Sequence, residues 1–243
     1  MIARSFSKAL MSAALAATAV VCVAASGPAM AQSQQEKAPA QPFKLDKVVP
    51  EHEIPYAVDT DPAHDPENVL VLDLSNGGRV LIRLMPQWAP HHVERIKTLT
   101  RQGFYDGIIF HRVIDGFMAQ TGDPTGTGQG GSKLPDLKSE FNDAPHMRGT
   151  VSMARTNDPN SANSQFFIVF YPRFALDHKY TNFGRVISGM DAVDTIVRGE
   201  PPSNPTKIVQ ASILADNKPR PAPPAAAPAG PITADMLSKS RSN

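Results

Sequence analysis

The chain has 243 residues, room for one or at most two domains. Its 24 Lys and Arg stand against 23 Asp and Glu, a net charge of +1; without Arg4 and Lys8 the balance is 22 against 23, net −1, which argues against an electrostatically driven nucleic-acid binder. The one cysteine, Cys22, lies near the N-terminus, so the remainder holds neither a disulfide framework nor a thiol nucleophile.

In chain order, Arg4 and Lys8 precede an apolar stretch from about Ala9 to Ala25, interrupted by Ser12 and Thr18. Ala29-Met30-Ala31 then has the small-x-small pattern of a cleavage site. The expectation is a signal peptide over residues 1–31, cleaved after Ala31, and an exported, periplasmic protein with no stable membrane insertion afterwards. A retained anchor is the first alternative, although the stretch is short against a span of about 20 residues. A lipid anchor on Cys22 is the second, and it would need a small residue where Val21 stands.

Residues 32–67 carry Pro39, Pro42, Pro50, Pro55, Pro62 and Pro66, with 3 basic against 8 acidic residues, and read as an extended arm. Val48–Val58 could pack on the core. Strand candidates follow at Val69–Leu74 and Val80–Leu84, joined by Ser75-Asn76-Gly77-Gly78, where Asn-Gly is a strong hairpin signal. Pro90 suits a first helical turn, with Val93, Ile96, Leu99 and Thr100 on one side and Gly103 after the end. Further strands are expected at Phe110–Ile114, Phe117–Thr121, Thr150–Ala154, Phe166–Val169, Phe183–Val186 and Ile208–Leu214. A second helix is expected over Asp191–Arg198, with Val193, Ile196 and Val197 inward and Gly199 as its stop. The fold expectation is mainly β: a closed eight-stranded antiparallel β-barrel capped by two α-helices, spanning residues 68–215. Residues 216–243, proline- and alanine-rich, read as a disordered tail.

Several chemical signals fail. Gly126, Gly128, Gly130 and Gly131 form a glycine-rich loop, but Ser132-Lys133-Leu134-Pro135 does not continue as a phosphate loop opening a helix. His91 and His92 are adjacent and diverge on a helix, and no zinc spacing is present. There is no Gly-x-Ser-x-Gly elbow.

The informative segment is FHRVIDGFMAQTGD, Phe110–Asp123. Arg112 is strand-like among apolar residues, where a guanidinium needs partners. Gln120 could supply an oriented amide for it. The competing reading is an arginine that bridges a surface carboxylate.

GTVSMARTNDPNSANSQFFI at Gly149–Ile168 and LDHKYTNFGRV at Leu176–Val186 extend the pattern. The succession FHRVI-GFM-Q-GD, SMAR, SQFFI and FGRV resembles the cyclophilin family over roughly Val69 to Leu214. The resemblance implies an eight-stranded barrel with two helices and cis-trans isomerisation of X-Pro bonds without cofactor or metal. It puts the catalytic group on Arg112, with Phe117 and Gln120, and substrate-binding positions on His111, Met118, Ala154, Arg155, Thr156, Gln165, Phe167, Leu176 and Tyr180. Arg155 stands where an asparagine is common, at a position used mainly through its backbone. Tyr180 replaces a histidine. Ala175 replaces the tryptophan that binds cyclosporin in many eukaryotic members, so sensitivity to that drug is in doubt. The implied partners are proline-containing unfolded or partly folded polypeptides, bound by a monomer without nucleic acid. The alternatives are a proline-peptide-binding chaperone and an envelope-interaction module.

Overall fold

The computed structural model describes residues 56–222. The expectations for the signal peptide, for the arm up to residue 55 and for the tail from residue 223 lie outside the described residues.

Eight strands form one antiparallel sheet: β1 Val69–Leu74, β2 Arg79–Leu84, β3 Arg112–Ile114, β4 Met118–Thr121, β5 Thr150–Met153, β6 Phe166–Val169, β7 Asn182–Ser188 and β8 Ile208–Ile213. Their order is β3-β4-β6-β5-β7-β2-β1-β8. The end strands β3 and β8 share no ladder, so the closed barrel expected from the sequence is met as a curled sheet. Isolated contacts bring the ends together. Gly107 and Phe110 donate N–H groups to the carbonyls of Ile208 and Thr206 (2.7 and 2.8 Å), and Ile208 donates to Ile108 (2.8 Å).

The main core lies inside the curl. Tyr105, Phe166 and Phe183 form an edge-to-face stack there, with centroids 5.6 and 6.1 Å apart. The β1–β2 hairpin turns at Asn76-Gly77, as the sequence predicts. Gly77 has φ +84°, and the Asn76 side-chain oxygen accepts the Gly78 N–H. A Cβ on Gly78 would collide with Ala192, so that glycine allows the second helix to seat on the hairpin.

Helix α1, Pro90–Arg101, buries Val93, Ile96, Leu99 and Thr100 as its periodicity demands. Ala89 offers no side-chain cap. Glu140 reaches in instead and accepts the N–H groups of His91 and His92 (3.2 and 3.1 Å). The second helix, α2, is Met190–Asp194, shorter than the expected Asp191–Arg198. Beyond it the Arg198 guanidinium takes up the carbonyls of Asp194 and Ile196, and the Val197 N–H turns to the Thr206 hydroxyl. Val193 and Ile196 are buried as expected, but Val197 is exposed.

The expected boundary at residue 68 falls inside a segment packed on the sheet. Arg83, buried on β2, donates to the carbonyls of Asp59, Asp61 and Asp65. Tyr56 meets Trp88 edge-on, centroids 6.3 Å apart. At the other end Arg220 donates to the Gly77 carbonyl, and Gln210 to that of Pro219.

Candidate active site

Strand alternation gives the sheet a second apolar cluster, on its outer face. In β4 Ala119 points into the main core and Met118 out; in β6 Phe166 and Ile168 point in, Phe167 and Val169 out. Met118, Phe167 and Val169 are buried, and Ile114, Phe117, Ala154, Leu176 and Tyr180 pack round them. Register aligns two rows across this face. Arg112, Gln120 and Phe167 are successive partners on β3, β4 and β6, and Ile114, Met118 and Val169 form the next row. A guanidinium thus stands at the margin of an apolar seat.

The partners differ from the expected ones. The Gln120 amide donates to the side-chain oxygen of Gln165 (2.8 Å), and Gln165 donates to the carbonyls of Gly128 and Gly130 (3.0 and 2.8 Å). Arg112 instead donates its Nε–H to Glu200 Oε2 at 2.7 Å, with the two side chains 41% and 50% exposed. The expected Gln120–Arg112 bond is therefore not among the contacts of the described residues, and the carboxylate bridge is present. Glu200 lies 88 residues on, and no local pattern could have pointed to it.

The Arg155 side chain is engaged within the fold. The guanidinium lies 4.6 Å over the Tyr180 ring and donates to the carbonyls of Lys179 and Thr156. Tyr180 in turn meets Phe167 edge-on at 5.6 Å. Arg173, unremarked in the sequence, covers Phe117 at 5.3 Å. Ala154 donates its N–H to the Gln165 carbonyl, and Thr156 to Ser161 Oγ. His111 is not at the surface: it is 5% exposed, neither ring nitrogen has a partner among the described residues, and burial holds its pKa below the ordinary value.

A groove of about 630 Å³ runs from Gln120 and Gln165 past the glycine loop to Arg155 and Tyr180. Asp123 organises that loop, accepting the N–H groups of Thr125, Thr127 and Gly128 and the Thr125 hydroxyl. Burial works to raise the Asp123 pKa, but these hydrogen bonds prevail and bring it to about 2. The loop's N–H groups are thus turned onto an internal carboxylate, which agrees with rejecting a phosphate site.

Ser152, His146 and Asp177 form the geometry of a hydrolytic triad, which the sequence did not reveal. Ser152 Oγ is 2.8 Å from His146 Nε2, and His146 Nδ1 is 2.7 Å from Asp177 Oδ1. Ser152 and His146 are 0% and 1% exposed, so no substrate carbonyl reaches the hydroxyl. The cluster ties β5 to the loops flanking the seat.

A family model described as cyclophilin type peptidyl-prolyl cis-trans isomerase/CLD matches residues 69–213. The chain belongs to the cyclophilin-type peptidyl-prolyl cis-trans isomerase family. A probable peptidyl-prolyl cis-trans isomerase of Brucella suis is 50% identical over 178 residues, covering 67% of this chain and 90% of that protein. A peptidyl-prolyl cis-trans isomerase of Schizosaccharomyces pombe is 41% identical over 148 residues, covering 56% and 94%. Among solved structures, a cyclophilin from Hirschia baltica matches with TM-score 0.59 and 33% identity, over 64% of this chain and 77% of that one. A Cryptosporidium parvum cyclophilin type isomerase, in the presence of the dipeptide Ala-Pro, matches with TM-score 0.56 and 28% identity, over 60% and 98%. This cyclophilin is accordingly a peptidyl-prolyl cis-trans isomerase, and the family match coincides with the curled sheet from β1 to β8.

Proposed function

We propose that this cyclophilin isomerises X-Pro bonds in exported polypeptides, with Arg112 as its catalytic residue and the outer apolar cluster as the seat of the proline ring. The observation that carries the reading is the register of β3, β4 and β6, which aligns Arg112 with Gln120 and Phe167 beside the row of Ile114, Met118 and Val169. Leu176 and Tyr180 complete the wall. Gln120, Gln165 and the backbone of Ala154, Arg155 and Thr156 border the groove that takes the chain next to the proline. A mature chain starting at Gln32 and a monomeric state belong to the same proposal.

The chemistry follows from the peptide bond. Rotation about X-Pro crosses a barrier of about 18–20 kcal/mol, set by amide resonance. At the twisted transition state that resonance is lost and the prolyl nitrogen carries a lone pair. A donor aimed at this nitrogen binds the twisted state better than the planar one, and only such differential binding lowers the barrier. Arg112 supplies a permanently charged planar donor. The apolar seat removes water from one side of the ring and fixes its orientation, so the acyl half turns against a held proline. No nucleophile or general base takes part, and His111 and the Ser152 cluster are too deeply placed to offer one.

A protease-coupled assay on an Ala-Pro-containing tetrapeptide tests this. The mature protein should accelerate cis-to-trans conversion, and Arg112→Lys should be impaired because a point charge cannot reproduce the planar fork. An unaccelerated reaction with folded protein would leave a proline-peptide-binding role. Mass spectrometry of the exported protein should find Gln32 first; an intact N-terminus or an acylated Cys22 would overturn the export reading.

A further inference from the structure

We infer that Glu200 is the positioning residue of the catalytic arginine, an inference that rests on the role proposed above for Arg112. The contact is a charge-assisted hydrogen bond from Arg112 Nε to Glu200 Oε2 at 2.7 Å. It uses one of the five N–H donors of the guanidinium. The terminal nitrogens have no protein partner among the described residues and are left for the prolyl nitrogen and the neighbouring carbonyl. Gln120 donates its amide N–H to Gln165, and its side-chain oxygen makes no hydrogen bond to Arg112 among the described residues.

The loop that carries Glu200 is built onto the catalytic strand. Val113, the neighbour of Arg112, donates its N–H to the Gly199 carbonyl at 2.8 Å and accepts the Gly199 N–H at 2.9 Å. This two-bond bridge sets residue 200 alongside residue 112. Gly199 has φ +142°, and a Cβ there would lie 2.6 Å from Pro202 Cα, so only glycine fits. On the other side Arg198 is anchored 4.3 Å over the Phe170 ring and on the carbonyls of Asp194 and Ile196. Glu200 therefore projects from a fixed loop, although its carboxylate is half exposed.

The role is orientation rather than charge, because a guanidinium stays protonated at any working pH. A long side chain at the edge of a sheet loses rotamer freedom when it is aligned. A carboxylate on its Nε edge meets part of that cost before substrate arrives and leaves the fork facing the seat. This also reconciles the two sequence readings of Arg112: it bridges a surface carboxylate and, on this inference, is presented by it.

The test compares Glu200→Ala, Glu200→Gln and Arg112→Ala, singly and as the Glu200→Ala/Arg112→Ala pair, by kcat, KM and thermal midpoint. Glu200→Ala should lower kcat by about tenfold, less than the roughly hundredfold that misplacing a reacting group can cost. Its KM and thermal midpoint should stay at the wild-type values. Glu200→Gln, which keeps an acceptor oxygen, should retain more activity than Glu200→Ala. In the Arg112→Ala background, Glu200→Ala should have no further effect, since its action runs through the arginine. A wild-type or raised kcat for Glu200→Ala overturns the inference, a raised value marking the carboxylate as a brake. An equal fractional loss in both backgrounds overturns it too. Full activity of folded Arg112→Ala would instead overturn the role of Arg112, a result separable from both.

Discussion

Ser152, His146 and Asp177 meet at 2.8 and 2.7 Å with the hydroxyl and imidazole sealed from solvent, whereas Arg112 has a single ion-pair partner and stands 41% exposed. By distances alone the first cluster looks the more chemical. Access reverses that ranking. A buried hydroxyl and imidazole closed off by a carboxylate satisfy one another's donors and acceptors and rigidify what they join. A half-exposed guanidinium with spare donors can give them to a ligand. The same contrast separates the two apolar clusters: the inner one fills the curl of the sheet, and the outer one has an open side.

The largest effect should come from the open cluster. Arg112→Ala should lower turnover by about two orders of magnitude, in line with the roughly 3 kcal/mol that losing one positioned donor costs in other enzymes. Its thermal midpoint should stay close to wild type, because the side chain is half exposed with one exposed partner. A folded variant with full activity would break the comparison at its centre.

The N-terminal segment supplies the next effect. A fragment of residues 66–216 removes Asp59, Asp61 and Asp65 and leaves the buried Arg83 guanidinium without its three carbonyl acceptors. It should be less stable than residues 56–222 by about 2 kcal/mol or more, the cost of stranding a buried charged donor. Activity per folded molecule should match, because the groove lies between Arg112 and Glu200 in sequence. Equal denaturant midpoints for the two fragments would show that Arg83 finds other partners.

His146→Ala probes the sealed cluster. It should cost about 1–3 kcal/mol of stability, as for other unsatisfied buried groups, and leave kcat unchanged. Chemical denaturation paired with the tetrapeptide assay separates the two. Acid should act on the same cluster. Burial depresses the pKa values of His146 and His92, against the pull of Asp177 and Glu140. The unfolded chain therefore takes up protons first as pH falls below the ordinary imidazole value of about 6.5. Stability is full above that pH and declines as pH drops toward the depressed folded values. Asp123 and Glu140, whose pKa values are lowered, add a further loss as the pH passes below the ordinary carboxylate range. Thermal midpoints should begin to drop between pH 7.5 and 5.5; a flat profile there would remove the histidines from the account.

The positions of the strands along the chain, the Asn-Gly hairpin and the inward face of α1 were legible because they follow local periodicity and turn chemistry. The residues of the outer apolar cluster, among them Met118 and Phe167, were named through the family resemblance rather than through periodicity. What escaped are contacts between distant segments. Glu200 reaches Arg112, Glu140 caps α1, and Asp177 meets His146 only after the sheet curls, so no spacing encodes them. The early end of α2 escaped too. Its inward positions continue the helical period to Ile196, but hydrogen bonds from Arg198 and to Thr206 take the backbone elsewhere.

The smallest effect concerns Arg155, at the margin between the open and sealed regions. The sequence suggests that this position serves through its backbone. The structure lays its guanidinium over Tyr180 and ties it to the carbonyls of Lys179 and Thr156, so it backs the wall that Tyr180 presents to Phe167. An exposed cation–π contact is worth about 0.5–1 kcal/mol, which corresponds to a two- to fivefold change in an equilibrium. Arg155→Ala should therefore raise KM by about two- to fivefold, with kcat near wild type, because the wall binds planar and twisted proline alike. Arg155→Lys keeps the charge but loses the flat stacking surface and should lie between the two. A drop in kcat at constant KM would instead place Arg155 in contact with the twisting bond, and the line between open and sealed regions would shift to include it.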